Sequence, residues 1–210
     1  MNTKFFKYAG IAASVLLIAF GVGMVATGRS ARSTVHDNLA QEHITGTLDM
    51  TPAGIVAAVK ESKLTGLILP TCSVANEPVN DGASAKCFAS YMRIHALEAT
   101  GGRTYSQMGQ YLTAQGKETS DKTQAGTDPK TGQPIPNGAR NVWVTETALG
   151  TALNTSYFAS SVGLFAIIVG IALLLIGIGL LVLTVRWIRE PKAAAATRPT
   201  PTAPIAPVPA

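Results

Sequence analysis

Two cysteines and three histidines in 210 residues leave little material for metal or redox chemistry. There is no C-x-x-C pair and no second pair of cysteines, so a thiol redox motif and a four-thiolate zinc site are both excluded. A G-x-S-x-G nucleophile elbow and an H-E-x-x-H helix are also missing. Gly116-Lys117 is not part of a P-loop, because Glu118 follows it and no glycine stands five residues before Gly116. Charge is scarce as well, at 14% of residues, and two long runs, Tyr8 to Gly28 and Val162 to Val185, carry none.

Those uncharged runs are the strongest positive signal. A hydrocarbon core of about 30 Å needs roughly 20 apolar residues. The run VGLFAIIVGIALLLIGIGLLVLTV covers about 36 Å at about 1.5 Å per residue, so it spans with a tilt. A charge at the bilayer centre costs about 2.5 to 3.5 kcal/mol, and neither run contains one. The expected fold is therefore an all-α membrane protein in which transmembrane helices at 8–28 and 157–186 pack as an antiparallel hairpin. Between them a small, mainly helical extracytoplasmic domain is expected at 29–156.

The net charge of +5 does not point to nucleic acid once it is located along the chain. From Arg29 to Glu146 eleven Lys/Arg balance eleven Asp/Glu. The surplus is Lys4, Lys7, Arg186, Arg189, Lys192 and Arg198 against Glu190, six minus one. Basic residues favour the cytoplasmic side. The first span is ambiguous, with Lys4 and Lys7 facing Arg29 and Arg32, but the second has Arg186, Arg189 and Lys192 on one side only. Both termini, 1–7 and 187–210, are expected in the cytoplasm of a two-pass plasma-membrane protein. A signal peptide is the competing reading of the N-terminus. Its apolar core would exceed the usual length of about 7 to 15 and end in Ala-Thr-Gly-Arg without a small-x-small site, which favours an uncleaved anchor.

Between the spans, a polar helix is expected from Ser33 to Ile44. Thr51-Pro52 is a start signal for a helix running to about Ser62, with a stop near Gly66. GLILP, at 66–70, reads as a buried loop or brief strand, and NEPVNDG, at 76–82, as turn. A longer helix from Ala83 to Thr100 gathers Cys87, Phe88, Tyr91, Met92 and His95 on one stripe, the expected core. Thr104 caps a further short helix through about Gln115. Residues 116–138, interrupted by Pro129, Pro134 and Pro136, read as a loop or mobile insertion, and helix resumes from about Asn141. Six of the twelve prolines fall after Glu190, in a Pro/Ala-rich segment expected to be a disordered tail.

Cys72 and Cys87 lie in the segment assigned to the oxidising side and are expected to form a structural disulfide. His36 and His43, on one helix face, would be about 10.5 Å apart, whereas two ligands of one ion need nitrogens about 3 Å apart. His95 is expected as a satisfied core or interface histidine. No catalytic residue, metal ligand or cofactor is assigned. Asn154-Thr155-Ser156 has the form of a glycosylation sequon but would abut the bilayer. Within the spans, Ser14, Gly21 and Gly28 recur every seven residues, as do Gly163, Gly170 and Gly177. Small residues at that period let two helices approach closely where no hydrophobic effect acts between them, so these six are the expected packing positions.

HDNLAQEHI, at 36–44, and IHALEATGGRTYSQMGQY, at 94–111, resemble a family of small actinobacterial membrane proteins. That family has a first span, an H-D-x-L-x-x-x-x-I segment, an A-L-E-x-x-G-G-K-T-Y stretch and a closing span. The resemblance implies the two-span architecture and makes Gly116 to Gly138 an added stretch. Some family members carry an automatic label of aromatic ring-opening dioxygenase, which implies two histidines and a carboxylate on one metal ion. The histidine spacing opposes that here, and no catalytic residue carries over. The function expected is a non-enzymatic membrane accessory or scaffold protein whose extracytoplasmic domain contacts a membrane-protein or envelope partner. A metal-dependent ring-cleaving dioxygenase and a membrane sensor of a small molecule are the alternatives. The bilayer is the one certain neighbour, and nucleic acid is not expected.

Overall fold

The computed structural model describes the backbone of residues 3–189 and the side chains from Tyr8 onward. The tail expected after Glu190 lies outside the described residues. The fold is mostly helical. Two of its helices, α1 (Thr3–Gln41) and the last one, Gly138–Arg189, are long and apolar enough to cross a membrane. Only 11% of the most apolar window of each is buried within the protein. The core helix of a soluble protein would be mostly buried.

α1 carries the polar stretch Ser33–Gln41 as a direct continuation of its apolar part, so the helix expected there is the end of α1. α2 (Pro52–Glu61) begins where Thr51 accepts a hydrogen bond from the Gly54 N–H at 3.0 Å, with Pro52 at the first helical position, where no N–H is needed. α3 (Gly82–Ala99) opens on a reciprocal cap. The Ser84 N–H donates to the Asp81 carboxylate at 2.7 Å, and the Asp81 N–H donates to the Ser84 hydroxyl at 3.1 Å. These bonds, the Ser84 N–H first, hold the Asp81 carboxyl below its ordinary range. Asp81→Ala is expected to remove about 1 kcal/mol of stability, read as a lower denaturant midpoint with unchanged slope.

One correction concerns the stretch before the last helix. The helix expected from Thr104 to Gln115 is one 3₁₀ turn, Tyr105–Gln107, capped by Thr104. It stops because Met108 turns extended and buries itself beside Ala96, Leu97 and Trp143, so tertiary burial overrides a sound helix start. Residues 116–138, read as a loop or mobile insertion, are mostly irregular, with a two-residue strand and one 3₁₀ turn, Lys122–Gln124, among them. β1 (Tyr111–Leu112) pairs antiparallel with β2 (Glu118–Thr119) across Gly116, whose φ of +75° suits a residue without a Cβ. Leu112 donates to Ile135, Ile135 to Gly126 and Gly126 to Leu112, which closes the stretch on itself. The prolines interrupt no helix. Pro134 and Pro136 occupy bridge positions opposite Thr127 and Tyr111. The final helix, α4 (Gly138–Arg189), runs for 52 residues and takes in Trp187 to Arg189, which the sequence reading gave to the tail.

Two compact units divide the described residues. In the unit formed by 24–168, α3 contributes to three clusters. Ala85 and Ala89 meet Val35, Leu39 and Leu153, while Cys87, Tyr91 and Ile94 meet Met50, Ile55 and Val74. Ala96 and Leu97 meet Met108 and Trp143. The stripe singled out in the sequence is thus one of several buried faces of α3, which is central because small alanines on its other faces admit neighbours. The loop after α1 is stitched to the turn before α3, with the Val79 N–H donating to Ile44 at 2.8 Å. Gly46 makes this approach possible, since a Cβ there would collide with the Val74 carbonyl.

The six small residues of the spans are all buried. In the unit formed by 3–23 and 169–189, Ser14 donates to the Gly10 carbonyl at 2.7 Å. There a Cβ on Gly21 would lie 2.8 Å from the Gly170 carbonyl, and one on Gly177 would lie 2.9 Å from Ile18. In the 24–168 unit a Cβ on Gly28 would lie 2.5 Å from the Gly163 carbonyl oxygen.

Candidate functional site

Polar groups converge at three places, all within the 24–168 unit. The first is structural. Cys72 and Cys87 form a disulfide with Cα atoms 6.1 Å apart, and the hydroxyl of fully buried Tyr91 donates to the Cys72 carbonyl at 2.6 Å. The bridge therefore ties the loop after α2 to α3, one turn before Tyr91. Such a bond persists in an oxidising compartment.

The second place is a carboxylate hub. Glu118 of β2 accepts two hydrogen bonds from the Arg103 guanidinium, at 2.6 and 3.0 Å, and one from the Asn137 amide at 3.0 Å. Arg103 is the largest influence holding the Glu118 carboxyl below its ordinary range, with Asn137 and the Gly109 N–H adding to it. Glu118 and Asn137 belong to the stretch that the resemblance made an addition, yet they bind Arg103 of the resembling patch. Because the folded value is depressed, the hub stabilises the hairpin fully above the unfolded value of about 4.3 and loses this as pH falls through the lowered one. Hydrogen exchange of the Leu112 and Gly126 amides should thus be unchanged by the hub from neutrality to about pH 5, and rise relative to α3 amides only in more acid solution.

The third place is the groove between α3 and the first part of α4, from Glu146 to Phe158. Glu146 lies there with its side chain 10% exposed, and its Oε1 is 3.9 Å from the Arg93 guanidinium, beyond hydrogen-bond distance. Its other oxygen accepts a long bond from Thr147 at 3.4 Å. Arg93 is largely exposed, with its guanidinium 5.3 Å from the centre of the Trp143 ring. Ala89, Ser90, Gly150 and Phe158 complete a cavity of about 550 Å³ around the pair. The size lies within the range of small-molecule sites.

The histidines do not meet. His36 is on α1 beside Asp37, with 3.3 Å between Nδ1 and Oδ1. His43 lies beyond the end of α1 with φ +50°, so the helix face expected to hold both histidines holds only His36. His95 is on α3, with Nδ1 2.7 Å from Glu98 and Nε2 3.3 Å from Asp49. The Thr47 hydroxyl, with a smaller effect from His95, keeps the Asp49 carboxyl below its ordinary range. The two carboxylates stand at opposite edges of the imidazole and do not share a point with either other histidine. Among the described residues no set of three metal-binding side chains converges. The donors present do not fit the two-histidine, one-carboxylate site of a ring-cleaving enzyme. Asn154 is inside α4 and donates to the Gly150 carbonyl, a helical setting unlike the surface loop of a glycosylated sequon.

Sequence reasoning missed Glu146, Arg93 and the Arg103–Glu118 hub. One signal was available for the first: Glu146 is the last charged residue before Arg186. The hub had none, because its partners are 15 and 19 residues apart with no fixed spacing to announce them. Set against known protein families, curated proteins and solved structures, the chain finds no match.

Proposed function

We propose that this chain is a two-pass plasma-membrane protein with both termini in the cytoplasm, acting without catalysis as an accessory or scaffold subunit. Its apolar helices form an antiparallel hairpin, and residues 29–156 stand outside as the domain that contacts a membrane-protein or envelope partner. The observation carrying this reading is the pair of long helices with outward-facing apolar surfaces, joined by a folded segment clamped by a disulfide. The contacts support the hairpin, since Gly10 faces Thr184, Gly177 faces Ile18 and Gly21 faces Gly170 in opposite chain order. The basic residues Arg186, Arg189 and Lys192 support the orientation.

Kinship with the actinobacterial two-span family belongs to the same proposal. Its resembling residues support architecture more than chemistry. Leu39 and Ile44 pack in one cluster, Gly101 and Gly102 turn the chain with positive φ, and the Arg103 carbonyl accepts the Trp143 indole N–H at 2.8 Å.

The test is crosslinking and mass spectrometry in native membranes, with a membrane-impermeant amine reagent applied to intact cells. Exposed Lys86 should be labelled without permeabilisation, and 29–156 should crosslink to one partner in stoichiometric yield. Labelling of Lys86 only after permeabilisation would reverse the orientation, and recovery without a partner would remove the accessory role.

A further inference from the structure

The groove between α3 and α4 holds two opposite charges that leave each other unsatisfied. Glu146 is nine-tenths buried on its floor, while Arg93 stands at its rim, 3.9 Å away. Three of the other polar groups around them donate to carbonyls of their own helices. Ser90 donates to the Lys86 carbonyl at 3.0 Å, Asn154 to Gly150 at 2.7 Å and Thr155 to Thr151 at 2.8 Å. A ligand entering the cavity of about 550 Å³ therefore meets one carboxylate, one guanidinium and otherwise weakly polar walls. Phe158, 67% exposed, offers an apolar surface at one end. Gly150 keeps the floor open, since a Cβ there would meet only the Glu146 side chain, at 3.5 Å.

We propose that this groove binds a small zwitterion, a molecule with an ammonium and a carboxylate on neighbouring atoms and an apolar side group. The ammonium replaces the long Arg93 contact at Glu146, the carboxylate takes the outward-facing guanidinium, and the side group lies toward Phe158. Each charge of the split pair gains a charge-assisted hydrogen bond that it lacks in the free protein, which a ligand of single charge supplies to only one of them. The site requires no protein partner, so its fate is separate from that of the accessory role.

The experiment uses the full chain in lipid nanodiscs and fluorine NMR titration with three probes. These are fluorophenylalanine, its N-acetyl form without the ammonium, and its amide without the carboxylate. The zwitterion should bind saturably, and each capped form at least about tenfold more weakly, the usual effect of losing a charged hydrogen bond. Glu146→Gln and Arg93→Gln should each weaken the zwitterion by a similar factor. Gly150→Leu, which fills the floor, should abolish binding while leaving Trp143 fluorescence, read in a Trp187→Phe background, unchanged. Equal binding of all three probes, or none that saturates, overturns the proposal on the unaltered chain whatever the variants do. Undiminished binding in Gly150→Leu places the ligand elsewhere and overturns it too.

Discussion

Replacing Cys72 and Cys87 together by serine is expected to lower the unfolding midpoint of the central segment by roughly 10 °C. The bond closes a loop with a sequence separation of 15, and cutting it returns about 3 kcal/mol of chain entropy to the unfolded state. For a segment of roughly 130 residues each kcal/mol moves the midpoint by about 3 to 5 °C. The loss is felt in the packing as well, because Cys87 is buried in the same cluster as Tyr91, Ile55 and Val74. Fluorescence of buried Trp143 reports the transition, in a Trp187→Phe background that removes the second indole. Reductant added to the unaltered chain should reproduce the shift. A midpoint that moves by less than about 2 °C in both experiments would mean that the clusters around α3 hold without the clamp.

A comparably large loss is expected from Gly28→Leu. The new Cβ would start 2.5 Å from the Gly163 carbonyl oxygen and 3.1 Å from the Ile167 backbone nitrogen, and backbone cannot rotate aside as a flexible side chain does. The helices must separate locally, at a cost of about 1 to 3 kcal/mol for overpacking plus the close contacts forfeited along the seam. Gly23→Leu is the matched control. It adds the same bulk to the same helix, but nothing lies within 4 Å of its Cβ. In mild detergent, Gly28→Leu should lower the melting temperature by at least about 5 °C, with Gly23→Leu within about 2 °C of the parent. Equal effects at the two positions would deny that the facing backbones touch there.

What the sequence made legible follows from how local each cause is. The apolar runs, the Thr51-Pro52 start and the α3 stripe depend on neighbours within a turn or two. α2 and α3 begin and end within one or two residues of where capping and periodicity put them, and each apolar run lies inside a longer helix. The 3₁₀ turn at Tyr105 and the folded 116–138 stretch depend instead on distant partners. Met108 leaves its helix for a pocket built by α3 and α4, and Glu118 is fixed by an arginine fifteen residues earlier. The groove was illegible for the same reason, since Arg93 and Glu146 are 53 positions apart, as their numbers show. The glycines on the heptad positions were easier to see, because a seven-residue repeat is a local pattern even when the surface it faces is remote.

The placement of α3 has a consequence for biosynthesis. Each of its flanking clusters needs a different stretch of chain, and two of them borrow Leu153 or Trp143 from α4, which leaves the ribosome well after α3. The cluster with Met50, Ile55 and Val74 is complete once α3 is made, whereas the one with Val35 and Leu39 still lacks Leu153. A nascent chain stalled before Trp143 would thus lack Leu153 over Ala85 and Ala89, and Trp143 over Ala96 and Leu97. Such a species is a substrate for chaperones and proteases, and synthesis of α4 is the step that closes both clusters.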